Sequence, residues 1–121
     1  MLDPKVKELI NTQINKEFYS AYLYLDFSNY YNDLGLDGFA HWYDIQAQEE
    51  RDHAMLMRQY LHNNGEHVSF TAVDQPDAVY EDAESPLKLG LKHEQYVTSL
   101  INTIYAAANE VHDYRTMQCF D

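Results

Sequence analysis

The sequence has few of the residues that define several large classes of protein. Its 121 residues include one cysteine, Cys119, which excludes a disulfide framework and any zinc or cluster site built from cysteines within one subunit. Eight Lys and Arg against 20 Asp and Glu give a net charge of −12, so no basic surface is available for nucleic acid. No apolar run approaches the roughly 18 residues of a membrane span, and no signal peptide is evident. We therefore predict a cytoplasmic protein of one domain, residues 1–121, with neither nucleic acid nor membrane as a partner.

Proline and glycine are also scarce, and the positions of the three prolines and four glycines divide the chain into long uninterrupted segments. Asp3 before Pro4 is typical of a helix start, and Gly65 suits the left-handed residue that ends a helix. We predict an all-α fold with long helices from Pro4 to about Asn32, from about Gly38 to Asn64, and from Ser85 to about Glu110.

The connection between the second and third predicted helices is too long for a simple hairpin and must cross the bundle. Within it Val68, Phe70 and Ala72 alternate with polar residues, which predicts a short strand that could pair with a second subunit. Beyond Glu110 a further helical pattern covers barely two turns. The sequence thus predicts three long helices and only the start of a fourth, with a groove between them.

Each long helix carries an apolar stripe at steps of three or four residues, the pattern of a buried helix face. One acid interrupts each stripe, namely Glu17, Glu50 and Glu94, and His53 follows Glu50 by one turn on the same face. The apolar positions predicted to be buried with these acids are Val6, Leu9, Ile10, Ala21, Tyr24 and Tyr31 in the first helix, Phe39, Trp42, Met57 and Tyr60 in the second, and Leu87, Leu91, Ile101, Tyr105 and Ala108 in the third.

Three carboxylates in a bundle centre repel one another, and each costs several kcal/mol unless it binds a cation or takes up a proton. No lysine or arginine shares the stripes, so we interpret the acids as ligands of a metal such as iron, manganese or zinc. Taken singly, Glu94 can also be read as a solvent-facing acid and His53 as a core histidine. Their coincidence on three helices favours the metal site.

The chain resembles the non-haem ferritins, most closely the bacterial ones, over essentially its whole length, in the segments MLDPKVKELINTQINKEFYSAYLYL, QAQEERDHAMLMRQYLHNNG and LKHEQYVTSLINTIYAAANEVHDY. The resemblance implies a ferritin-like bundle in which Glu17, Glu50 and His53 hold one iron. Glu94 would hold a second iron that Glu50 bridges. Tyr24 would be the tyrosine beside the diiron centre, with a plain core aromatic as the alternative. Glu49 would match the acid of a nearby third iron site, with an exposed flank residue as the alternative.

The activity that the resemblance implies is ferroxidation, in which two Fe(II) ions react with O₂ or peroxide and the product is stored in a cage of twenty-four subunits. One alternative is a self-assembling helical protein that binds metal without ferroxidase turnover. Another is a groove that accepts a partner helix.

By the same resemblance, a fourth helix would continue beyond Asp121 and a fifth would follow. Leaving about 1,000 Å² of apolar groove in water forfeits roughly 25 kcal/mol, more than the stability of a small domain. We therefore expect subunits to cover the groove for one another, by exchanging helices, by docking face to face or by forming an assembly unlike the usual cage. Cys119 is expected to be a free thiol, and the histidines expected to face solvent are His41, His62, His67, His93 and His112.

Overall fold

Four helices account for all the regular secondary structure in a computed structural model that describes residues 1–121. They are α1 (Pro4–Asp33), α2 (Asp37–Asn63), α3 (Ser85–Glu110) and α4 (Tyr114–Cys119). The all-α prediction is confirmed, with three long helices and a fourth of six residues. None of the four is long and apolar enough to cross a lipid bilayer.

The ends of the helices follow local chemistry. The Asp3 carboxylate accepts from the backbone N–H of Lys5 at 3.0 Å, and Pro4 occupies the first helical position, where no N–H is needed. Gly35 and Gly65 follow the ends of α1 and α2 with φ of +73° and +72°, a conformation that costs glycine nothing.

Helix α3 begins at Ser85, as predicted, and Glu84 takes the cap position.

Helix α1 is the central element, since it packs along α2 and also contacts α3. No Cα atoms of α2 and α3 lie within 8 Å of each other, so a groove separates these two helices. Along α1 the core falls into two apolar clusters. One surrounds Val6, Ile10 and Ile14, and the other surrounds Tyr24 and Phe27. A layer of buried polar side chains lies between them.

The crossover between α2 and α3 contains no strand, so the predicted strand around Phe70 is wrong. Side chains of α1 supply the partners that a strand would have offered. Asn11 exchanges two hydrogen bonds with the backbone of Ser69, and Asn15 bonds the carbonyl of Ser69 and the N–H of Thr71. The segment is therefore held against its own subunit and leaves no strand edge for a second one.

The groove between α2 and α3 exposes several residues that the stripes predict to be buried. Phe39 is 46% exposed, Trp42 52%, and Leu91 64%, and Leu87 is also exposed. The periodicity identified the correct face of each helix, but in this chain that face is open. Helix α4 covers only the far end of the bundle, where its Thr116 and the Phe120 that follows it are buried.

Candidate metal centre

The polar layer of the core brings together residues from the middle of α1 and the middle of α2. Gln13 and Glu17 are each 2% exposed and Glu50 is 6% exposed. These side chains point to the core because each shares a helix face with buried apolar residues about one turn away. The structure thus places two of the three predicted acids, Glu17 and Glu50, in the buried core.

Glu17, Glu50 and His53 form a compact group in which one potential ligand atom of each lies within 4.8 Å of the others. The Nδ1 atom of His53 is 3.6 Å from Oε2 of Glu50, as the one-turn spacing on α2 predicts. The His53 side chain is 53% exposed, so it is not the buried core histidine of the alternative interpretation. Two carboxylates and an imidazole at these distances match the ligand preferences of divalent iron, manganese or zinc.

The two oxygens of Glu17 have different surroundings. Oε1 accepts a hydrogen bond of 2.9 Å from Nε2 of Gln13. Oε2 is buried and has no hydrogen-bond partner, which is costly for a carboxylate oxygen. A cation bound between Glu17 and Glu50 would satisfy this oxygen.

Glu50 carries the largest electrostatic perturbation among the acids. The pKa of its carboxyl group is raised from 4.5 to about 9, mainly by burial and also by its acidic neighbours Glu17, Glu94 and Glu49. Glu50 therefore holds a proton at neutral pH in the metal-free protein. Metal binding would displace this proton, because a ligating carboxylate must be ionised.

Glu94 is not part of the compact group, although it lines the same cavity of about 630 Å³ as Glu17, Glu50 and His53. Its side chain is exposed, and its Oε1 accepts a hydrogen bond from the hydroxyl of Tyr24. Tyr24 is 2% exposed, and burial together with this bond raises its pKa well above 10. The structure therefore places Glu94 at the rim of the site, held by Tyr24.

Glu49 is exposed on the flank of α2 and lies outside both the compact group and the lining of this cavity. Its charge still reaches the site, since it is one of those that raise the pKa of Glu50.

His93 contradicts the expectation that it faces solvent, because it is half-buried between α1 and α3. Its Nε2 lies 2.7 Å from Oγ of Ser20, and its ring meets Tyr24 edge to face at 5.9 Å. Burial lowers the pKa of its imidazole. In the sequence, the position of His93 next to Glu94 was the only indication that it lies near the site, because His93 is not part of the apolar stripe. The other four predicted solvent-facing histidines are exposed, as is the free thiol of Cys119.

Comparison with known proteins extends this picture to the whole chain. A ferritin-like domain matches residues 7–121. The bacterial non-haem ferritin of Staphylococcus saprophyticus is 34% identical over 117 residues, which are 97% of this chain and 70% of that protein. That of Campylobacter jejuni is 36% identical over 116 residues, or 96% of this chain and 70% of that protein.

Solved structures agree. An open-pore ferritin from the hyperthermophilic archaeon Archaeoglobus fulgidus has a TM-score of 0.95 at 34% identity, over 99% of this chain and 74% of that one. A humanized archaeal ferritin has a TM-score of 0.96 at 33% identity, over 99% and 74% of the two chains.

Proposed function

The chain belongs to the ferritin family, and from that premise we propose that it binds Fe(II) as substrate and takes part in iron storage. The observation that carries the proposal is the pair of buried carboxylates, Glu17 and Glu50, with His53 within 4.8 Å and one carboxylate oxygen without a partner. This arrangement is unfavourable without a cation and becomes favourable with one. We assign Glu17, Glu50 and His53 as the ligands of the first iron.

We propose a second iron position between Glu50 and Glu94, with Glu50 bridging the two ions. The support is that both side chains line one cavity and that Glu94 approaches from the opposite side, on α3. The Tyr24 hydroxyl bonds Oε1 of Glu94, which leaves Oε2 as the oxygen that would reach this ion. Two Fe(II) ions carry four positive charges, whereas the three carboxylates carry three negative charges. We therefore expect the second position to bind iron more weakly than the first.

The reaction that we propose for the site is ferroxidation. Each Fe(II) gives up one electron, and O₂ or peroxide takes both electrons together because the two ions are held side by side. The carboxylate oxygens favour the ferric product, which is the harder ion. Tyr24 is assigned the role of holding Glu94, and Glu49 contributes negative charge at the exposed flank.

A second candidate function is metal binding without turnover. It is favoured by one observation, that only Glu17, Glu50 and His53 are already grouped while Glu94 is bonded to Tyr24. In that case one ion binds per chain and no oxidation follows. Counting bound ions by titration with Co(II) distinguishes the two candidates, because ferroxidation requires two.

We also propose that the protein self-associates in the cytoplasm, either as the cage of twenty-four subunits or as a smaller assembly with exchanged helices. The support is the family together with the open apolar groove, in which Trp42, Leu56 and Leu91 are each more than half exposed. Sedimentation measures the particle mass, and a stable compact monomer would contradict this proposal.

The direct test of the activity follows the absorbance of ferric product after Fe(II) is added in the presence of O₂. Wild type should oxidise Fe(II) faster than buffer, and Glu50→Ala should not. The matched control is Asp52→Ala, which removes an equal charge from an exposed position of α2 two residues away. Equal rates for wild type and Glu50→Ala would refute the assignment.

A further inference from the structure

Gln13 is a buried polar residue beside the candidate metal centre. The hydrogen-bond partner of its side chain is Glu17, a proposed iron ligand. It lies on α1, one turn before Glu17, and is 2% exposed. Its Nε2 donates a hydrogen bond of 2.9 Å to Oε1 of Glu17. Burial of an amide is unfavourable unless its groups are hydrogen-bonded, so the presence of a glutamine at this core position needs an explanation.

The bond makes the two oxygens of Glu17 inequivalent. A glutamate carboxylate rotates broadly about its last torsion, and a fixed donor on one oxygen removes most of that freedom. With Oε1 bound to Gln13, the other oxygen, Oε2, is left buried and without a partner. We infer that Gln13 is a positioning residue, which turns Oε2 of Glu17 toward the metal. This inference rests on the proposed function.

Stability of the metal-free fold accounts for only part of this arrangement, because the Gln13 donor satisfies one oxygen of the buried Glu17 carboxylate and leaves the other open. Ile10 and Ile14 flank Gln13 on α1 and are completely buried, so an apolar side chain at this position would extend the cluster they belong to. The amide instead sits in the core and leaves Oε2 of Glu17 unsatisfied. An arrangement that leaves a buried acceptor open is explained by a cation that closes it.

The choice of a neutral donor is consistent with this role. An arginine or lysine at position 13 would also bond Glu17, but its positive charge would compete with the metal ion for the same carboxylates. A glutamine orients the ligand without adding charge. Hydrogen-bond partners of this kind typically change metal affinity by 10–100-fold.

The test measures Co(II) binding through its visible d–d absorption, which reports both affinity and coordination geometry. Gln13→Met keeps the length and helix propensity of the side chain but has no donor, and Gln13→Leu is a second variant should the first fold poorly. Both should bind Co(II) roughly 10–100-fold more weakly than wild type, with a changed absorption band. The matched control is Ser28→Ala, which removes a buried polar contact between α1 and α2 away from the site.

The results of the Co(II) titrations distinguish a failure of the positioning role of Gln13 from a failure of the proposed function. Wild-type affinity and spectrum in the Gln13 variants would overturn the positioning role, as would an equal loss in Ser28→Ala. If wild type binds no Co(II), or if Glu50→Ala binds it as wild type does, the proposed function fails and the positioning role fails with it. Weakened binding with a changed band in the Gln13 variants alone supports the inference.

Discussion

Replacing Glu50 by glutamine should stabilise the metal-free protein, and the gain should depend on pH. Burial and the neighbouring Glu17 raise the pKa of Glu50 from 4.5 to about 9. Between these values the folded protein retains a proton that the unfolded chain has released. The free energy of unfolding therefore falls as pH rises through this window, and the loss is absent below about pH 4.5. Glutamine cannot ionise and avoids the loss.

The magnitude follows from proton linkage. One proton changes the free energy of unfolding by at most about 1.4 kcal/mol per pH unit, which sets a ceiling of about 3 kcal/mol between pH 5.5 and 7.5. The cavity beside Glu50 opens to water, which screens the charge, so we expect about 1–2 kcal/mol. The stability advantage of Glu50→Gln over wild type should then be larger at pH 7.5 than at pH 5.5 by this amount, or roughly 5–10 °C in Tm.

The assay is thermal unfolding followed by far-ultraviolet circular dichroism, with a chelator present and at fixed protein concentration. The matched control is Asp52→Asn, which neutralises an exposed acid on the same helix and should leave the pH dependence of wild type intact. A Glu50→Gln protein that is less stable than wild type at pH 7.5 would contradict the raised pKa of Glu50. So would a difference of equal size at pH 5.5 and 7.5.

Three other predictions concern separate parts of the fold. Asp3→Ala removes the cap of α1 and should lower the free energy of unfolding by about 1 kcal/mol in urea denaturation, while unchanged stability would argue against the cap. Tyr24→Phe frees Glu94 and should slow Fe(II) oxidation up to about tenfold in stopped-flow absorbance; a rate equal to wild type would contradict the role of Tyr24. Asn15→Ala removes two hydrogen bonds to the crossover and should hasten its cleavage by a nonspecific protease, and an unchanged cleavage pattern would count against that anchoring.

The helices could be predicted from the sequence because their signals are local. Asp3 and Pro4 specify a start through the backbone N–H groups beside them, and Gly65 specifies an end through its own φ. The prediction of a strand in the crossover was wrong because the contacts that decide its structure are not local. Its alternating residues look like a strand, but Asn15 on α1, more than fifty residues away in the chain, supplies its hydrogen bonds.

The candidate site also has a part that local sequence signals predict and a part that they do not. The spacing of Glu50 and His53 along one helix fixes their proximity, and the stripe of α1 places Glu17 in the core. Glu94 follows its stripe as well, but that stripe faces an open groove, which periodicity alone does not reveal. His93 lies off the stripe and is half-buried because α1 and α3 approach each other at Ser20.

The most direct test of the metal centre is a crystal structure of the protein soaked anaerobically with Fe(II), with data collected on both sides of the iron absorption edge. We expect an anomalous peak within bonding distance of the Glu17 and Glu50 carboxylates and of Nδ1 of His53. No peak at this position, or iron found only at exposed acids elsewhere, would contradict this expectation.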